Sequence, residues 1–199
     1  MVILVSPYDP GRFARVVVGN GGLLTGDTPP GRAFVDWLDF SQNPPGFEAG
    51  WVVNGATTSE LSSEVVAAYD APYPDDSYME GARIFPSLVP ISPDDPSVPS
   101  NRAAWVKLRS FERPFLCAFS DMDPITRGGE ANFIRVVPGA EDQPHITIEG
   151  AGHFLQEDQG PQLALVLVNW LAGCACAVGG ACIAFAYDDH WCSNRGQSR

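Results

Sequence analysis

Three short apolar runs constrain this chain more than anything else in it: Arg15-Val16-Val17-Val18-Gly19-Asn20, Pro114-Phe115-Leu116-Cys117-Ala118-Phe119 and residues 145–148. None is long enough for a helix, and the first is almost purely β-branched, the pattern of a parallel strand covered on both faces. Helical patterns fill the space around the last two. One contains Ala104, Trp105 and Leu108 and leads into the second run. Another contains Phe133, Ile134 and Val137, and a longer one covers residues 156–171 with Leu163, Val166, Leu167 and Trp170 facing inward. Strands alternating with helices predict an α/β chain built on a parallel sheet. Gly160-Pro161 is expected to divide the last helix, because proline removes a backbone donor.

The texture differs between residue 27 and about residue 98, where most of the prolines lie. A helix is predicted over residues 31–42, with prolines just before it and apolar Phe34, Trp37, Leu38 and Phe40. A second is expected to open on the capping box Thr57-x-x-Glu60 and to carry Leu61, Val65, Ala68 and Tyr69 on one face. Glu157 and Asp158 fall in the first turn of the last helical stretch, favourable to its dipole. The reading is an excursion, a small helical lid interrupting the sheet. It divides the chain into residues 1–26 and 99–172 as core, 27–98 as lid and 173–199 as an irregular tail.

Composition narrows the function. A net charge of −12 over 199 residues argues against nucleic-acid or anionic-membrane partners. No apolar run approaches the ~20 residues that span a bilayer, so a soluble protein is expected. Of the five cysteines, Cys117 sits inside an apolar run, where an inert buried thiol is expected, and Cys174, Cys176, Cys182 and Cys192 lie in the tail. An odd count without a secretion signal fits a reducing, cytoplasmic compartment. With His190 the tail cysteines match no paired zinc spacing, so no metal site is expected.

Two loops carry the chemistry. Gly150-Ala151-Gly152-His153-Phe154 places a histidine between a β-run and a helix. A histidine there can swing over the sheet edge and exchange protons near neutrality. Some thirty residues earlier, Ser120-Asp121-Met122-Asp123-Pro124-Ile125-Thr126 closes the central run. A carboxylate from it would fix the imidazole tautomer; Asp123 is the choice, Asp121 the rival, and either aspartate also suits a turn before Pro124. Acid followed by histidine on successive strand ends is the order in which an α/β-hydrolase delivers its last two triad members.

Several motifs in order carry a closer resemblance: Arg12-Phe13-Ala14-Arg15-Val16-Val17-Val18, Tyr69-Asp70-Ala71-Pro72-Tyr73-Pro74, Phe119-Ser120-Asp121-Met122-Asp123-Pro124-Ile125-Thr126 and the histidine segment. Through them the chain resembles a haloalkane dehalogenase of the α/β-hydrolase superfamily, most closely the branch whose acid follows the penultimate strand. The resemblance implies the C-terminal part of an α/β-hydrolase fold, its last three parallel strands with flanking helices plus a helical cap. It implies hydrolysis of a halogenated alkane through an alkyl-enzyme ester, with no metal or cofactor. Asp123 and His153 would be acid and base. Trp37 would donate its indole N–H to the halide, with Trp51 a weaker rival, and Phe34 would line the pocket. The family's nucleophile segment would precede residue 9, and residues 1–8 hold no strand-turn-helix elbow, so an N-terminally truncated, inactive chain is expected. The bare edge of the first strand would then invite self-association. Two rival readings are epoxide opening, with Tyr69, Tyr73 and Tyr78 as donors, and a non-catalytic fragment.

Overall fold

The computed structural model describes residues 13–43 and 46–173. The three predicted runs form one parallel sheet in the order β1 (Val16–Val18), β2 (Phe115–Ser120), β3 (Ile146–Ile148), with Val17 opposite Leu116 and Phe119 opposite Thr147. β2 is central, and all six of its residues are buried. Its alternate side chains Phe115, Cys117 and Phe119 meet Val16, Val18, Leu108, Phe111, Phe133 and Val137 on one face. There Phe133 stacks between Trp105 and Phe115, with ring centroids 5.2 and 5.7 Å away. Each such buried phenylalanine contributes roughly 1.5–3 kcal/mol. A second cluster, Ile148, Ala151 and Leu155 with Leu163 and Val166, anchors the histidine loop to the last helix.

Between β1 and β2 lie α1 (Arg32–Gln42), α2 (Ala49–Gly55), α3 (Ser63–Asp70), α4 (Glu80–Ile84) and α5 (Val98–Leu108); α6 (Glu130–Val136) precedes β3, and α7 (Leu155–Asp158) and α8 (Gly160–Leu171) follow it. The break before Pro161 falls where the proline predicts. On α8, Leu163, Val166 and Leu167 are partly buried and Trp170 is buried, while Leu165, Val168 and Leu171 are exposed. Arg15 closes the C-terminal end of α8, donating to the carbonyls of Trp170 (2.7 Å) and Leu171 (3.1 Å).

One helix start differs from expectation, and two helices, α2 and α4, were not expected. Thr57 is not the N-cap of α3: its hydroxyl donates to the carbonyls of Asn54 and Ser59, and the helix starts six residues after it, at Ser63. α3 begins later, capped by Ser62, whose side chain accepts from Val65 N. α2 has no periodic apolar face to advertise it. It is held by close packing on α3, where a Cβ on Gly50 would lie 2.3 Å from the Val66 carbonyl, and by Gly50 N donating to Asp70 Oδ1 at 2.8 Å. Cys117 is a free, buried thiol, pushed up to about 12 by burial and, less, by the nearby Glu130 charge. The tail cysteines, His190 and residues 1–8 lie outside the described residues. Among the described residues, no helix is long and apolar enough to cross a membrane.

Candidate active site

The sheet brings the two loops singled out from the sequence together at one end. Asp123 sits three residues beyond β2 and is fully buried. Its Oδ1 accepts from Ile125 N at 2.9 Å, an aspartate turn that sets up the bend at Pro124. Its Oδ2 accepts from the Thr126 hydroxyl and from His153 Nδ1, the latter at 2.9 Å. The turn reading and the catalytic reading of this residue are therefore compatible, because each uses a different carboxylate oxygen. Burial opposes ionisation of Asp123, but the bonds from His153, Thr126 and the Ile125 amide outweigh it and hold the carboxyl below its usual range. An ionised Oδ2 fixes the imidazole proton on Nδ1 and leaves the Nε2 lone pair unused, since Nε2 makes no hydrogen bond among the described residues.

The rival aspartate has another task. Asp121 Oδ1 accepts from Gly150 N (2.8 Å) and Ala151 N (3.4 Å), holding the turn in which Gly150 adopts φ +71°. Its own backbone extends the β2–β3 pairing, with Asp121 N on the Ile148 carbonyl and Met122 N on that of Ala151. Asp121 shapes the loop; Asp123 meets the imidazole.

Two further residues hold the histidine, and neither was picked out from the sequence. Asn20, at the end of β1 with φ 39°, is buried and bonds to both neighbouring strand ends. Its Nδ2 donates to Ser120 Oγ (2.7 Å) and to the carbonyls of Gly152 (2.9 Å) and His153 (3.0 Å), and its Oδ1 accepts from Ser120 N (2.8 Å). From the opposite side, Ala56 presents its carbonyl to His153 N at 2.9 Å. Asp158 accepts from Gly152 N at 2.8 Å and from the amides of Thr58 and Ser59. A buried asparagine after a β-branched run was the available signal for Asn20. Asp158 gave none, since an acid early in a helix reads as a dipole effect.

Trp37 and Phe34 lie on α1. Phe34 is buried; Trp37 is half-buried and packs on Phe40 and Phe47 with centroids 6.0 and 6.1 Å away, while Phe40 reaches Trp51 at 5.4 Å. The Trp37 indole N–H makes no hydrogen bond among the described residues, and no ring contact or hydrogen bond there joins this aromatic cluster to the His153–Asp123 pair. Of the tyrosines, Tyr69 donates its hydroxyl to Glu157 and is pushed up to about 12 by that bond and by burial. No group of three or more His, Cys, Asp or Glu among the described residues could hold a metal ion.

The chain is 49% identical to a haloalkane dehalogenase of Psychrobacter cryohalolentis over 163 residues, 82% of this chain and 54% of that enzyme. It is 46% identical to one of Mycolicibacterium paratuberculosis over 168 residues, covering 83% and 55%. It thus spans about half the length of the curated relatives it matches. No family model matches it. Among solved structures, the tetrameric haloalkane dehalogenase of Paraglaciecola agarilytica NO2 superposes with TM-score 0.68 at 24% identity, over 77% of this chain and 51% of that one. A putative ancestral haloalkane dehalogenase gives 0.67 at 18%, over 86% and 63%. A 2-hydroxy-6-oxo-6-phenylhexa-2,4-dienoate hydrolase of Rhodococcus gives 0.61 at 14%, over 82% and 57%. These likenesses show the α/β-hydrolase fold.

Proposed function

We propose that this chain, similar to haloalkane dehalogenases over four fifths of its length and built as part of an α/β-hydrolase, supplies the acid and base of hydrolytic dehalogenation. The observation that carries the reading is the buried, ionised Asp123 on His153 Nδ1 at 2.9 Å, with Nε2 left unengaged. In that role His153 Nε2 takes a proton from water as the water attacks the carbonyl carbon of an alkyl-enzyme ester, and Asp123 stabilises the imidazolium that forms. Alcohol leaves, and the esterified carboxylate is regenerated. The carboxylate that displaces halide is none of the groups bonded to His153 among the described residues, and the chain alone is expected to turn over negligibly.

Residues 27–98 act as the cap over a core to which 13–26 and 99–172 contribute; residues 1–12 and 174–199 lie outside the described residues. Trp37 donates its indole N–H to the departing halide within an apolar pocket that Phe34 lines. A half-buried indole with its donor unused supports that role. The substrate is a small halogenated alkane, the compartment cytoplasmic, and the edge of β1, which pairs with no second strand among the described residues, a route to self-association. Epoxide opening is disfavoured at Tyr69, whose proton is committed to Glu157.

The test joins this chain to the part of the Psychrobacter relative that it does not match, and measures bromide release from short bromoalkanes. Continuous release that falls to at most one bromide per chimaera in His153→Ala is expected, because the ester then forms but is not hydrolysed, together with saturable bromide quenching of tryptophan fluorescence that Trp37→Phe removes. Turnover that persists without His153 would overturn the reading. So would turnover by the chain alone above its own His153→Ala control.

A further inference from the structure

We infer that Asp158 is a positioning residue, which locks the histidine loop to the segment 56–59 and thereby keeps His153 Nδ1 on Asp123. The inference rests on the reading of His153 as the base. Asp158 ends the single turn of α7, yet its carboxylate does not serve that helix. Oδ2 accepts from Gly152 N (2.8 Å) and Thr58 N (3.0 Å); Oδ1 accepts from Ser59 N (2.9 Å) and Ser59 Oγ (2.5 Å).

These bonds close a ring. Asp158 holds Gly152, His153 N donates to the Ala56 carbonyl at 2.9 Å, and two residues later Thr58 and Ser59 return to Asp158. Thr58 Oγ1 adds a strut to the Gly150 carbonyl at 2.7 Å. Gly152 permits the close approach, because a Cβ there would lie 2.6 Å from the Ala56 carbonyl oxygen. Next to the ring, Tyr69 of α3 donates to Glu157 of α7. A segment more than ninety residues from His153 in sequence thus fixes its backbone on one side, while Asn20 fixes it on the other. Burial works against the Asp158 charge, but the Ser59 hydroxyl and the Gly152, Thr58 and Ser59 amides bring the carboxyl down to about 2, so the clamp is ionised at neutral pH.

The experiment reads the His153 Nδ1–H proton by NMR in the chain as it stands. Asp158→Asn keeps the shape but replaces one acceptor oxygen with a donor facing other donors. Exchange of the Nδ1–H with water should rise at least ~10-fold, the scale of a lost charge-assisted hydrogen bond. Ser59→Ala removes one bond and should raise it about threefold. Val137→Ala, a buried change in the other core cluster, controls for general destabilisation and should leave the exchange unchanged. An Nδ1–H as protected in Ser59→Ala and Asp158→Asn as in the parent chain would overturn the inference, as would an equal rise in Val137→Ala. Because the readout needs no turnover, failure of the dehalogenase reading would show separately, as absence of His153-dependent halide release.

Discussion

Replacing Asp123 by asparagine gives the sharpest prediction, because the structure dictates how the amide must sit. Three donors point at the carboxylate: Ile125 N at Oδ1, and the Thr126 hydroxyl and His153 Nδ1 at Oδ2. An amide has one acceptor oxygen. With that oxygen towards Ile125, the NH₂ faces the imidazole, and His153 must offer a lone pair at Nδ1 and carry its proton on Nε2. With the amide turned round, the Ile125 N–H meets an NH₂ in a fully buried place. An unsatisfied buried donor costs about 1–3 kcal/mol, whereas a neutral hydrogen bond replacing a charged one costs about 1 kcal/mol, so the first arrangement wins. The expected outcome is a loss of about 1–3 kcal/mol in stability from urea unfolding, with the histidine tautomer inverted. Nitrogen-15 spectra of the imidazole at pH 8 report the tautomer directly. In the active chimaera the same change should lower kcat by roughly 10⁴, the size found when a triad carboxylate becomes an amide elsewhere. An asparagine variant that keeps its proton on Nδ1 would refute the reasoning.

Two other outcomes follow from the same geometry. Gly152→Ala forces a Cβ to within 2.6 Å of the Ala56 carbonyl oxygen, against backbone rather than a flexible side chain, and should cost about 1–3 kcal/mol by denaturant unfolding; a change within ~0.5 kcal/mol would show that the loop yields freely. Acid should weaken the fold through Asp123 and Asp158, both held below the ordinary carboxylate range when folded. Their stabilisation is complete above the unfolded value and disappears as pH falls through the folded one. For Asp158 that window runs from 3.8 down to about 2. Its share should be about 1–2 kcal/mol after solvent screening of a partly exposed group. Unfolding at pH 6 and pH 2.5, compared with Asp158→Asn, isolates it; equal slopes in both proteins would rule it out.

The strands, most helices and the acid–histidine pair were legible in the residues, because each rests on a local pattern. Continuous apolar runs mark buried strands, Pro161 breaks a helix wherever it stands, and a carboxylate before Pro124 makes its own turn. Asp121 and Asp123 were both weighed from the sequence, and only geometry tells their surroundings apart: both lie in one loop, and the parallel pairing of β2 with β3 aims one at the Gly150 turn and the other at the imidazole. α2 escaped notice because its stability comes from close contact with α3 through Gly50, not from an amphipathic repeat.

Local patterns in the chain therefore mark which elements form and which two loops bring a carboxylate to an imidazole. Tertiary structure alone decided what holds the His153 loop. Asn20 and Asp158 act through hydrogen bonds to backbone groups up to 133 positions away, and a backbone carbonyl or amide leaves no trace in the identity of its residue. Side-chain patterning reports burial; the pairing of main-chain polar groups across the sheet is settled only once the chain has closed on itself.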